Sequence, residues 1–373
     1  MSLVYSRRDF GRLALAAMPV AALAGRFRSG LPFQAKPDSL WGGVPFGIFA
    51  PYRFGLEASD LEGALNTLVK LGVSYTELGN AVVERYVGAP QAAGGRGGGA
   101  GQAPAAANAG PPLQPAPGMI PCEGGVPSSA AAAQGGGGGG RGQQSPEQQA
   151  AARTQAEALA AWRASVPMSK FSDVQKKFAD AGVHIYAYRI TLTKDMSDAD
   201  YDYAFKAAKA LGASQLTMEH PHDVALAKRI GQGGEKHALN IGYHLHTTAS
   251  MTAWDDVMAA SPRNGLQLDI GHYVAGTGLS PVPLIEKLHA RIFSMHLKDR
   301  KKLCHDRSEN MPWGEGDTPI RDVLQCLKKN KWPIPAGVEF EYNVPAGSTW
   351  EAELAKCVKY AKDALTGGAD TAL

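Results

Sequence analysis

Along most of this chain, short apolar runs alternate with segments whose apolar residues recur every three or four positions. The runs at 46–50, 73–78, 183–188, 214–218, 240–245, 266–270, 291–297 and 336–340 predict strands. The helical spacing covers 61–71, 147–163, 169–181, 199–211, 224–237, 254–259, 282–290, 319–330 and 350–365. Strands that follow helices through short connections imply a parallel sheet, and eight of them imply a closed (β/α)8 TIM barrel. An open doubly wound sheet would favour a Gly-rich turn after its first strand. Here Ala50-Pro51-Tyr52-Arg53 stands at that place.

Two stretches break the alternation. Between Gln91 and Gly142 there are 17 Gly and 7 Pro, with no aromatic residue and one acid, Glu123. Such a stretch cannot bury enough surface to offset its ordering entropy, so residues 91–146 are expected to form a disordered, low-complexity insertion after strand two. Long insertions are tolerated on the βα side of a barrel. The second stretch is the N-terminus. Ser6-Arg7-Arg8-Asp9-Phe10 precedes an apolar, Ala-rich run from Leu13 to Gly25 that contains Ala22-Leu23-Ala24. This layout resembles a bacterial twin-arginine (Tat) export signal, and places the mature protein in the periplasm. Residues 1–30 are thus expected to be signal and linker, and residues 40–368 the barrel.

Charge and cysteines narrow the partners. The net charge of +3 falls mostly on Arg7, Arg8 and Arg12, leaving a nearly neutral body with no electrostatic case for nucleic acid. No later apolar run reaches the length of a membrane span, so no stable membrane association is expected after signal removal. The cysteines, Cys122, Cys304, Cys326 and Cys357, form no C-x-x-C pair. Cys326 and Cys357 fall on helical patterns and read as small packed apolar groups. No Walker or Rossmann pattern appears, so no nucleotide is expected. A homo-oligomer is compatible with this sequence.

The chemistry gathers at the predicted strand ends. Strand four ends in Glu219-His220, strand five in Tyr243-His244-Leu245-His246, and strand six in Asp269-Ile270-Gly271-His272. Strand seven carries His296-Leu297-Lys298-Asp299, and strand eight Glu339-Phe340-Glu341. Barrel active sites lie at this face. Carboxylates with one or two imidazoles form a mixed oxygen and nitrogen site suited to Mn2+, Mg2+, Co2+ or Zn2+. Without a cation, carboxylates converging in a barrel mouth would repel one another. Glu77, at the end of strand two, reads equally as a site residue or as a buried supporting acid. Trp313 reads as a rim residue walling the pocket.

These motifs resemble the xylose isomerase-like TIM barrels, which include sugar-phosphate isomerases, ketose 3-epimerases and inosose dehydratases. The carrying residues are Tyr243-His244-Leu245-His246, Leu268-Asp269-Ile270-Gly271-His272, His296-Leu297-Lys298-Asp299-Arg300, Trp313-Gly314-Glu315-Gly316-Asp317 and Val338-Glu339-Phe340-Glu341. The resemblance implies a divalent metal held by Glu219, Asp269, His296 and Glu339. It also implies Glu219 and Glu339 as paired acid and base, and His246, His272 and Lys298 as substrate contacts. Leu245 stands where the family's His-Asn-His segment has Asn. Glu341 shares a strand side with Glu339 and is the competing ligand, with Glu339 preferred on position.

The implied activity is isomerisation or epimerisation of a ketose or related carbohydrate through an enediolate. Loss of a leaving group from the same enediolate, giving a lyase or dehydratase acting on a keto-sugar or 3-keto-glycoside, needs the same metal and base. A non-catalytic sugar-binding barrel is the more distant alternative.

Overall fold

The computed structural model describes residues 36–91, 145–302 and 309–367. The expected export signal, residues 92–144 of the expected insertion, Cys122 and Cys304 lie outside the described residues. Eight parallel strands close into a barrel. They are β1 (Val44–Ala50), β2 (Tyr75–Gly79), β3 (His184–Arg189), β4 (Gln215–Glu219), β5 (Asn240–His244), β6 (Asn264–Asp269), β7 (Ile292–Leu297) and β8 (Ala336–Val338). Each pairs with the next in sequence, and β8 closes on β1 through Ala336–Phe46, Gly337–Gly47 and Val338–Ile48. The antiparallel pair Leu40–Trp41 extends β1 at the N-terminal end of the barrel, where Trp41 stacks on Phe46 at 5.1 Å.

The period of two along each strand sorts side chains between two environments. Leu216 and Met218 on β4, Leu266 and Leu268 on β6, and Met295 and Leu297 on β7 join one buried apolar cluster with the helices. The intervening residues face the barrel interior and meet across it. Thr217 and Gln267 both donate to Glu77 of β2, each at 2.6 Å. Apolar residues at helical spacing close the outer layer: Leu61, Ala64, Leu65 and Leu68 on α1 (Leu61–Lys70) are all buried. Burial of each Leu is worth roughly 1.5–3 kcal/mol.

The remaining helices are α2 (Asn80–Tyr86), α3 (Pro146–Ser165), α4 (Ser169–Asp180), α5 (Asp198–Ala210), α6 (Val224–His237), α7 (Asp255–Ala260), α8 (Ile270–Thr277), α9 (Val282–Leu288), α10 (Ile320–Asn330) and α11 (Trp350–Thr366). Two of them, α2 and α8, are absent from the sequence expectation. Both start on the residue directly after a strand, with no connecting loop to separate the two elements. At α8 the boundary is Asp269, whose Oδ1 accepts the His272 backbone N–H at 2.7 Å and caps the helix. The expected sixth strand therefore ends one residue early, and His272 lies on a helix.

Between β2 and β3 the chain makes α2, then residues 92–144, then α3 and α4. Ser145 caps α3 in a reciprocal capping box with Gln148. The helix is then fixed to the barrel by Glu84 on α2. This buried carboxylate accepts from Arg163 at 2.8 and 3.1 Å, from Tyr203 of α5 at 2.9 Å, and from Asn80 at 3.0 Å. The free thiols Cys326 and Cys357 are both buried, as expected of packed apolar groups. No helix among the described residues is long and apolar enough to cross a membrane.

Candidate metal centre

The C-terminal strand ends bring four buried residues together: His244, Asp269, His296 and Glu339. One potential ligand atom from each lies within 4.8 Å of the others. Adjacent register creates this grouping. Asp269 pairs with His296, His296 with Gly337, and Glu339 follows β8 with its N–H donated to Leu297 O at 3.1 Å. In each of the four, one side-chain atom is buried without an aligned hydrogen bond: His244 Nδ1, Asp269 Oδ2, His296 Nδ1 and Glu339 Oε2. Asp269 Oδ2 and Glu339 Oε2 lie against the Lys298 ammonium at 3.0 and 2.5 Å, and two carboxylate oxygens converging with two imidazole nitrogens make a donor set that fits a cation.

The surrounding residues aim these atoms. Asp269 spends Oδ1 on the cap of α8, which turns Oδ2 toward the centre. Glu77, wholly buried, lies 2.9 Å from His296 Nε2. An ionised carboxylate accepts the Nε2–H, so loss of the other proton, as on binding a cation, would leave the lone pair on Nδ1, on the side of Glu339 Oε2 at 3.2 Å. Phe49 stacks on the His296 ring at 5.6 Å. Thr217, Gln267 and Arg189 complete the surroundings of Glu77.

The electrostatics follow from burial and neighbours. Burial holds the His244 imidazole well below its usual pKa, so it is a neutral donor. Burial also pushes the Asp269 carboxyl up to about 7, with Lys298 opposing. Burial disfavours charge on His296, yet Glu339 and Glu77 push it up to about 10. The same burial penalty acts on Glu339, but Lys298 and His296 hold it well below the usual carboxylate range. Lys298 is buried and remains strongly basic, because Asp269, Glu339 and Glu341 outweigh its desolvation.

Of the residues expected to bind metal, Asp269, His296 and Glu339 are brought together and Glu219 is not. The Glu219 carboxylate is 43% exposed, paired with Arg189 through Oε1, and 3.5 Å from His246 Nε2 through Oε2. His244, which pairs with Glu219 in the β4–β5 register, occupies the fourth place instead. The reason is positional. Glu219 meets an arginine from β3 that Gln267 and Glu77 also engage, so its Oε1 is taken up by the guanidinium.

The expected substrate contacts divide by burial. His246 is exposed and stacks on His272 at 4.6 Å. His272 is buried between Lys298 Nζ at 3.1 Å and Arg300 Nη1 at 2.5 Å. The Lys298 side chain is 2% exposed, with Nζ 3.0 Å from Asp269 Oδ2 and 2.5 Å from both Glu339 Oε2 and Glu341 Oε2. Glu341 also accepts from Tyr52 at 2.8 Å. Trp313 is buried against Tyr360 of α11 and is part of the core, not a pocket wall. Asp299 accepts from the backbone of Gly314, Gly316 and Thr318 at 2.8–3.1 Å, so the acid of His-Leu-Lys-Asp shapes the loop at 314–318. Sequence reasoning named Glu77 without deciding its role and passed over Arg189 and Gln267, whose polar side chains at strand positions were their only signal.

A family model described as a xylose isomerase-like TIM barrel matches residues 199–360. This span contains all four residues of the centre, and leaves Glu77 and Arg189 outside it. No curated protein matches the chain. Among solved structures, a xylose isomerase domain protein from Planctomyces limnophilus is similar at 11% identity and a TM-score of 0.51, over 87% of this chain and 98% of that one. A sugar phosphate isomerase/epimerase from Parabacteroides distasonis ATCC 8503 is similar at 14% identity and a TM-score of 0.50, over 87% and 96%. An IolI protein with a bound zinc atom is similar at 12% identity and a TM-score of 0.51, over 88% and 100%. At these identities the likeness is one of fold.

Proposed function

We propose that this chain is a divalent-metal-dependent enzyme that moves a proton beside a carbonyl of a carbohydrate, isomerising or epimerising a ketose. The carrying observation is the convergence of four buried residues, His244, Asp269, His296 and Glu339, whose potential ligand atoms lie within 4.8 Å of one another. These four residues would hold the ion. Two imidazoles and two carboxylates suit Zn2+, Co2+ or Mn2+ better than Mg2+, which favours oxygen donors and retained water. When bound, such an ion supplies Lewis acidity at a carbonyl oxygen.

The chain's own groups do the rest. Glu77 fixes the His296 tautomer. Lys298 and His296 favour the ionised, proton-accepting form of Glu339. A carboxylate of such low basicity needs an acidified C–H before transfer is efficient. Glu219 and His246, both solvent-accessible, border the open side and would meet sugar hydroxyls. Export through the residue 1–30 signal, and hence an extracytoplasmic substrate, is part of the same proposal.

One observation favours elimination as a second reading. Proton exchange between two bases asks for a second base across the substrate from Glu339. The residue expected for it, Glu219, is tied to Arg189. Elimination needs one base and a leaving group, which would make the protein a lyase or dehydratase of a keto-sugar or 3-keto-glycoside. Incubating Mn2+-loaded protein with ketoses and 3-keto-glycosides in D2O separates the outcomes. Deuterium in an isomerised product supports the first reading, and released aglycone or dehydrated product the second. If metal-loaded protein exchanged no substrate hydrogen in any of these compounds, the carbohydrate reading would fall.

A further inference from the structure

The donors around Glu339 are numerous enough for two cations. Besides the four-residue centre, His272, Glu339 and Glu341 each offer a ligand atom within 4.8 Å of the other two. Glu339 belongs to both groups. All three residues of the second group touch one atom, Lys298 Nζ, at 3.1, 2.5 and 2.5 Å. The fourth contact of Nζ is Asp269 Oδ2 at 3.0 Å, which belongs to the first group. Asp269 Oδ2 and Glu339 Oε2 therefore stand toward Lys298 as shared carboxylate oxygens stand toward the second ion of a two-metal pair.

We propose that the Lys298 ammonium is a resident second cation, tethered to the chain, that keeps this metal centre mononuclear. This rests on the metal-centre reading above. The charge count agrees with it. The carboxylates touching Nζ are Asp269, Glu339 and Glu341, three negative charges. With His296 neutral as a ligand and all three carboxylates ionised, one divalent ion and one ammonium balance them. Position agrees as well. Lys298 follows His296 by two residues at the end of β7, and its stem crosses Gly271, where any Cβ would collide with the Lys298 chain and meet its carbonyl oxygen at 2.8 Å. The small residue in Asp269-Ile270-Gly271-His272 thus opens the route by which the ammonium reaches the carboxylates. Removing the ammonium while leaving all three carboxylates creates a vacant anionic group that a divalent ion can take.

The test counts ions. Wild-type protein, Lys298→Met and Lys298→Gln are loaded with excess Mn2+, passed through a desalting column and assayed for manganese per folded chain, with folding followed by circular dichroism. Wild type is expected to hold one ion and both variants two, and the variants should show the electron paramagnetic resonance signal of an exchange-coupled pair. One ion in both wild type and a folded variant would overturn the proposal and leave the metal centre standing. No ion in wild type would remove both. A separate reading needs no variant: wild type at excess Mn2+ should give an uncoupled six-line spectrum, and a coupled spectrum there would also overturn the proposal.

Discussion

Glu77 Oε2 and His296 Nε2 lie 2.9 Å apart, and both side chains are wholly inaccessible to solvent. One comes from β2 and the other from β7, so the contact spans the barrel interior. It decides which imidazole nitrogen faces Glu339. Glu77→Gln keeps the shape but weakens the acceptor, and its amide can point a donor at Nε2. Metal affinity is expected to fall roughly 10- to 100-fold, the usual effect of losing a residue that orients a ligating histidine. Isothermal titration with Zn2+ measures it. Unchanged affinity would mean that His296 is not oriented through Glu77.

His244 and Glu219 make opposite predictions although they are register partners. His244→Ala removes a donor of the buried group and is expected to abolish tight metal binding. Glu219→Gln acts outside that group, so metal affinity should change no more than a few-fold while turnover falls. Equilibrium dialysis on both variants decides between them. Loss of the ion in Glu219→Gln would return Glu219 to the ligand set.

Metal identity is open to a direct comparison. After chelation, Zn2+, Co2+ or Mn2+ should each raise the thermal midpoint, and Mg2+ at equal concentration should do so least. An ion at one hundred times its Kd stabilises by about 2.7 kcal/mol if it binds only the folded chain. A larger shift with Mg2+ than with Zn2+ would contradict a centre containing two imidazoles.

The Glu84 clamp predicts an effect on stability without an effect on chemistry. Glu84→Ala leaves the Arg163 guanidinium, only 9% exposed, without its carboxylate. Breaking a buried pair from one side costs about 3–5 kcal/mol. Chemical denaturation should register that loss, limited proteolysis should detect release of α3, and metal affinity should stay as in wild type. Retained stability would show that Trp162 and its packing against Tyr203, not the ion pair, hold the helix.

The barrel was legible because its strands are short apolar runs set between amphipathic helices, as in Leu216–Met218 between α5 and α6. The helices at Asn80 and Ile270 were hidden because each is short and follows its strand directly, with no loop between them. Asp269, His296 and Glu339 were legible as a group because all lie at strand ends, where a barrel collects its chemistry. The placement of His244, and not Glu219, beside them was not. A one-dimensional reading sees a glutamate and a histidine at equivalent strand ends. It does not see that Arg189, thirty residues earlier, binds the glutamate. Lys298 posed the same problem: a lysine near a barrel rim suggests solvent, and only the contacts with three carboxylates show it to be internal.

Asp269 divides its carboxylate between two tasks, with Oδ1 on the first turn of α8 and Oδ2 in the candidate metal centre. Folding of that helix and readiness of the centre are therefore written into one side chain. Asparagine caps a helix about as well as aspartate but lacks the second anionic oxygen. Selection on either task alone would tolerate an exchange that the other forbids, so the position is constrained by the conjunction. With aspartate here, the side chain that starts the helix also presents a carboxylate oxygen to whatever cation arrives.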